Sequence, residues 1–137
     1  MDLTRRVFLK WLGAAVAVVA LLPRMAHAKI KKVGIPLAKT PALQNVDGSV
    51  ILKIKEQDVL FVRTSDAEVK AVSPVCTHQK CQVAYNAKSK QIECSCHGSK
   101  YTVDGKVLNG PAPRDLPNFK AKISGEQIVL EIEEPTA

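Results

Sequence analysis

Beyond position 48 the chain alternates short apolar runs with clusters of Gly, Asn, Asp and Ser, and no stretch holds a helical period for more than about two turns. Segments 50–54 and 59–63 are apolar and β-branched, 68–73 alternates, and 121–124 with 127–132 forms a terminal pair, so all five read as β-strands. Asp47-Gly48, Asn86-Ala87-Lys88-Ser89, Asp104-Gly105, Asn109-Gly110 and Ser124-Gly125 are the turn signals, with Asp104-Gly105 the strongest candidate for a two-residue hairpin. The pattern predicts an all-β domain. Its end, Glu131-Ile132-Glu133-Glu134, reads as an edge strand running into a solvated tail, and Lys29-Ile30-Lys31-Lys32 as a solvated start rather than a binding patch. No internal repeat or second domain is visible.

A different kind of apolar run lies near the start. Trp11 to Leu22 is twelve residues long, short of the roughly 20 that span a bilayer and typical of a signal core. Before it stands Thr4-Arg5-Arg6-Val7-Phe8-Leu9-Lys10, and after it Ala26-His27-Ala28. The segment 1–28 resembles a twin-arginine export signal. That resemblance implies a periplasmic protein, either soluble after cleavage near Ala28 or anchored to the inner membrane by the retained segment. His27 belongs to this segment and reads as a solvated residue, not a ligand.

Length allows one domain, residues 29–137, with a modest core. Of the formal charge of +7, the first 28 residues carry +3, leaving a mildly basic +4. Aromatic residues are 4% and are not interleaved with Lys or Arg runs, which argues against a nucleic-acid partner.

The candidate chemistry is concentrated in two short loops that hold every cysteine: Cys76-Thr77-His78-Gln79-Lys80-Cys81 and Cys94-Ser95-Cys96-His97-Gly98-Ser99. Each offers thiol and imidazole at similar spacing, so two facing loops can give two Cys to one metal and two His to another. A mononuclear Cys₂His₂ zinc site from Cys76, His78, Cys94 and His97 is the alternative, although zinc sites favour like-with-like pairs and give the extra two Cys no work. Two disulfides, leaving both His idle, are a further alternative.

These loops resemble those of the Rieske family, and the likeness extends from about Val33 to Ile132. The resemblance implies an antiparallel β-sandwich with an inserted cluster-binding subdomain at about 74–113, and a 2Fe-2S cluster as cofactor. By it, Cys76 and Cys94 bind one iron, His78 and His97 bind the other, and Cys81 and Cys96 form a disulfide tying the loops together. Ser99 and Tyr101 match positions whose hydroxyls hydrogen-bond a bridging sulfide and a cysteine sulfur. Gly110, Pro111, Ala112 and Pro113 match a proline-rich loop that covers the cluster, and no role is assigned to Arg114-Asp115. Exchanging two Cys for two His on one iron raises the potential to roughly −150 to +300 mV, against about −400 mV for plant-type ferredoxins.

The resemblance implies a one-electron carrier with no substrate chemistry of its own. The leading expectation is a periplasmic electron-transfer protein delivering single electrons to a c-type cytochrome or similar redox protein, as a free carrier or small redox subunit. The alternatives are the Rieske subunit of a quinol:cytochrome c oxidoreductase and the small subunit of a periplasmic molybdenum enzyme resembling arsenite oxidase. One departure bears on the choice. Rieske subunits of cytochrome bc-type complexes read Cys-Thr-His-Leu-Gly-Cys in the first loop, with an apolar Leu at the tip, where this chain has Gln79-Lys80. An amide and a cation there weaken apolar docking and favour an acidic partner.

Overall fold

The computed structural model describes residues 29–134, so the twin-arginine motif, the apolar run after it and His27 lie outside the described residues. Among the described residues no helix is long and apolar enough to cross a membrane. The strands are β1 (Lys29–Pro36), β2 (Ser49–Ile54), β3 (Gln57–Arg63), β4 (Val69–Val72), β5 (Val83–Asn86), β6 (Gln91–Cys94), β7 (Lys100–Tyr101), β8 (Val107–Asn109), β9 (Asn118–Ser124) and β10 (Gln127–Glu134). Single 3-10 turns at Leu37–Lys39 and Pro41–Leu43 link β1 to β2. All strand pairs are antiparallel.

Two sheets result: a six-stranded one in the order β1-β10-β9-β4-β3-β2 and a four-stranded one in the order β5-β6-β7-β8. The chain inserts the smaller sheet between β4 and β9 of the larger. This is the all-β, Rieske-type architecture expected from the sequence.

Strand β3 explains how the smaller sheet is held. Val59, Leu60, Phe61 and Val62 are all buried. Because neighbouring side chains leave opposite faces of a strand, only burial on both faces produces such an unbroken run. Val59 and Phe61 pack with Leu43, Val69, Ile128 and Leu130 inside the curled larger sheet. Leu60 and Val62, with Val72 of β4, pack the other way against Val83, Ile92, Tyr101 and Leu116. Thus β3 is a wall common to two cores, and the second core lies under the cysteine loops.

Polar clasps reinforce this contact. The Tyr85 hydroxyl on β5 donates to Asp47 Oδ1 at 2.9 Å, and Lys90 of the β5–β6 turn is ion-paired with the same carboxylate. On the other side Lys70 of β4 bridges Glu68 at 2.9 Å and Asp104, in the β7–β8 turn, at 3.0 Å. Lys90 first and Tyr85 second hold the Asp47 carboxyl below its ordinary value. Burial, reinforced by Asp47, pushes the Tyr85 phenol up to about 12.

Three expectations need correction. The end at 131–134 is an inner strand, because β1 pairs with β10 from Lys29↔Glu134 to Pro36↔Gln127. Lys29-Ile30-Lys31-Lys32 is exposed as expected but forms the true edge. Its strand is cryptic in the sequence because it is held by backbone pairing and cross-strand charge, as in Lys32–Glu131 at 3.7 Å, rather than by alternating apolar burial. Asp104-Gly105 does not form a two-residue hairpin: the β7–β8 loop runs over 102–106, closed by Thr102 N–H to the Lys106 carbonyl at 2.8 Å. Gly105 sits there at φ +85°, and a Cβ would come within 2.8 Å of the Leu116 carbonyl oxygen. The Leu116 N–H bonds the Gly105 carbonyl at 2.8 Å, so the loop is widened to receive the returning chain. The two-residue connections are instead Lys55-Glu56 and Gly125-Glu126.

Candidate metal centre

The register Val83↔Cys94 brings the end of the first cysteine loop to the start of the second. The two loops have the same backbone design. In the first, Lys80 N–H bonds the Cys76 carbonyl at 3.0 Å and Cys76 N–H bonds the Cys81 carbonyl at 2.8 Å. In the second, Gly98 N–H bonds the Cys94 carbonyl at 3.0 Å and Cys94 N–H bonds the Ser99 carbonyl at 2.9 Å. Lys80 (φ +58°) and Gly98 (φ +79°) occupy equivalent left-handed positions. Cys76 and Cys94 are therefore equivalent, while the histidine is two places on in one loop and three in the other.

Cys81 and Cys96 are bonded as a disulfide, which leaves Cys76 and Cys94 as the free thiols and rules out two disulfides. Both free cysteines are 2% exposed. The sulfurs of Cys81, Cys94 and Cys96 also lie within 4.8 Å of one another. That trio is not a ligand set, because the disulfide uses two of the three. The rings of His78 and His97 meet edge to face with centroids 4.8 Å apart. His97 is exposed and His78 half-buried. His78 Nδ1 is buried and has no hydrogen-bond partner among the described residues, an arrangement that costs free energy unless a ligand bond completes it. Two buried thiols, two facing imidazoles and an orphaned imidazole nitrogen fit a 2Fe-2S cluster held by Cys76, Cys94, His78 and His97.

Hydroxyls surround Cys76. Tyr101, fully buried, places its hydroxyl 3.3 Å from Cys76 Sγ. The Thr77 N–H donates to the same hydroxyl oxygen at 3.4 Å. Burial alone raises the Cys76 thiol, but hydrogen bonds from Tyr101, the His78 backbone, Cys94 and Ser99 outweigh it and hold the thiol below its ordinary value. Tyr101 is pushed up, by burial first and by Cys76 second. Such donors favour the anionic sulfur.

The proline-rich loop is fastened to both cysteine loops. Ala112 is buried and its N–H donates to the Oγ of fully buried Ser99 at 3.1 Å. Thr77 Oγ1 donates to the Arg114 carbonyl at 2.7 Å. Asn109 Nδ2 reaches the Gly98 carbonyl at 3.3 Å. Gly110, Pro111 and Pro113 are exposed, and the Gly110–Pro111 peptide is cis. Sequence reasoning missed Thr77 and Asn109. Their only signal was a hydroxyl between Cys76 and His78 and an amide at the entrance to the proline loop. Asp115, given no role, accepts the Val107 N–H at 2.9 Å and pairs with Lys106 at 3.1 Å rather than with Arg114.

Residues 35–120 match the Rieske [2Fe-2S] domain model. The chain is 36% identical to the cytochrome b6-f complex iron-sulfur subunit of Chlorobaculum tepidum, over 96% of this chain and 77% of the relative. A shorter match, 46% identical over 43% of the chain, is to the cytochrome b6-f complex iron-sulfur subunit 1 of a Nostoc species. Among solved structures, the plasma membrane Rieske protein PetC3 of Synechocystis superposes with a TM-score of 0.61 at 32% identity, covering 73% of this chain and 99% of that one. The iron–sulfur pattern of the loops and this shared sequence lead to one conclusion: the chain belongs to the Rieske [2Fe-2S] domain family and is an electron-transfer protein.

Proposed function

We propose that the chain is the iron–sulfur subunit of a quinol-oxidising membrane complex of cytochrome b6-f or bc type. The observation that carries this reading is the extent of the Chlorobaculum match: at 96% of this chain it runs beyond the cysteine loops and the β-domain into the first 28 residues. In this reading the segment 1–28 directs export by the twin-arginine route and stays as an anchor, with residues 29–137 on the periplasmic side. The bound 2Fe-2S cluster supplies one-electron oxidation and reduction. His97, exposed at the loop tip, is the group placed to take a quinol proton, while buried Ser99 and Tyr101 hold their hydroxyls toward sulfur. The electron leaves to a c-type cytochrome.

A second reading, the free periplasmic carrier, is favoured by Gln79 and Lys80, both exposed at the tip where an apolar residue would suit a quinol pocket. Purification of the tagged full chain from membranes and from the periplasm in parallel separates the two. The complex predicts a Rieske EPR signal in the membrane fraction with co-purifying b-type haem. The same signal in the soluble fraction without b-type haem overturns it in favour of the carrier. A large molybdopterin subunit purifying with the chain overturns it in favour of the molybdenum enzyme.

A further inference from the structure

We infer that the exposed tip of the cysteine loops is a cationic docking face for an acidic redox protein, with Lys80 and Arg114 as its recognition residues. The inference deepens the proposed electron-transfer role by naming the partner's chemistry, and it begins from the equivalence of the two loops. Lys80 stands where the second loop has Gly98, and both are left-handed. That conformation is free for glycine and costly for a residue with a Cβ. Lys55 and Lys90 take similar angles, but in hairpin turns, and Lys90 is spent on Asp47. Lys80 is exposed, and among the described residues it makes no ion pair. Nothing inside the described residues accounts for a lysine at this costly backbone position, so its charge is left to act on something outside the chain.

Arg114 supplies the second charge. Its carbonyl is pinned to Thr77 of the first loop at 2.7 Å, its side chain is exposed, and it too makes no ion pair among the described residues. No carboxylate occurs in the cysteine loops or in the proline loop. Those closest to the loops in sequence are engaged: Glu93 with Asn86 and Ser89, Asp104 with Lys70, and Asp115 with Lys106 and the Val107 N–H. The same loops also expose His97, Pro111 and Pro113. Exposed prolines together with charges of one sign suit a transient complex steered by opposite charge.

The test is binding of the cluster-loaded full chain in detergent to two immobilised c-type cytochromes, one acidic and one basic, across a salt series. Binding to the acidic cytochrome should dominate at low salt and weaken at least about tenfold at physiological ionic strength, as expected for exposed charges. K80E/R114E should lose at least tenfold at low salt. R114E alone, at an ordinary backbone position, should lose a smaller share. Lys39→Glu, in the 3-10 turn after β1, with Lys122→Glu on β9 makes the same change in net charge and should leave affinity within about threefold, since both lie outside the cysteine and proline loops.

Lys80→Gly is the sharpest variant. It should relieve the backbone and leave thermal stability equal or higher, yet weaken acidic-cytochrome binding. Equal binding by K80E/R114E and wild type overturns the inference, as does an equal loss in K39E/K122E, which would make net charge alone responsible. Preference for the basic cytochrome overturns it too. An unchanged Rieske EPR signal in every variant keeps these outcomes separate from failure of the electron-transfer site, and b-type haem co-purification reports separately on the complex.

Discussion

Replacing Tyr101 by Phe should lower the reduction potential by about 60 mV while the cluster stays bound. Phenylalanine fills the same fully buried space, so the change isolates the hydroxyl, which lies 3.3 Å from Cys76 Sγ. A hydrogen bond to a charged acceptor contributes about 1.5–3 kcal/mol, against about 1 kcal/mol to a neutral one. Reduction adds one negative charge shared by the iron pair and its thiolates, so roughly 1.4 kcal/mol of that bond exists only in the reduced state, and this corresponds to about 59 mV for one electron. The assay is a redox titration followed by circular dichroism or by EPR amplitude. Stability should fall as well, by about 1 kcal/mol, because the Thr77 N–H loses its acceptor. A potential that is unchanged or higher would refute the reasoning, since it would show that the hydroxyl does not donate to sulfur. Ser99→Ala provides the comparison: it should also lower the potential, and additionally loosen the proline loop by removing the acceptor of the Ala112 N–H.

Other outcomes follow from the same contacts. Thr77→Val keeps the side-chain shape but removes the 2.7 Å bond to the Arg114 carbonyl. It should cost about 1 kcal/mol and speed amide exchange in the 110–114 loop; unchanged exchange would show that Thr77 does not fasten it. His97→Ala should abolish the Rieske EPR signal, and normal cluster assembly in that variant would overturn the ligand assignment. Asp47 is held low by Lys90 and Tyr85, so its contribution is present above about pH 4 and disappears as pH falls through its lower folded-state value. D47N should flatten the acid arm of a urea-midpoint profile. Tyr85 is held high, at about 12, so its contribution is complete below about pH 10 and disappears as pH rises through the folded-state value. Y85F should remove that alkaline arm, and identical profiles in the variants would rule out the clasp.

The parts of the molecule legible in the sequence were those with a local physical signature. Apolar runs marked β2 and β3, alternation marked β4, a terminal pair marked the end of β9 and most of β10, and the strict company of Cys and His marked the two loops. The smaller sheet was harder to see. Its strands are two to four residues long, too short to show a period, and their burial is fixed by contact with the far side of β3. β1 was hidden because most of it is exposed and only long-range pairing with β10 makes it a strand. Thr77 and Asn109 escaped notice for a related reason: their partners are the Arg114 and Gly98 carbonyls, and no sequence pattern reports which backbone oxygen a distant loop will present.

The metal centre and the second core are one structure. Cys76, Cys94 and Tyr101 pack with Leu60, Val62, Val83, Ile92 and Leu116, so the residues fitted to hold iron also close the contact between the sheets. Left without a metal, two thiols would sit in that core and the buried His78 Nδ1 would have no partner among the described residues, and a buried polar atom without a partner opposes folding. Metal binding and folding of the smaller sheet are therefore coupled, whereas the larger sheet has a separate core built from Leu43, Val59, Phe61, Ile128 and Leu130. Coupling of this kind makes cluster insertion a step in the folding of the smaller sheet.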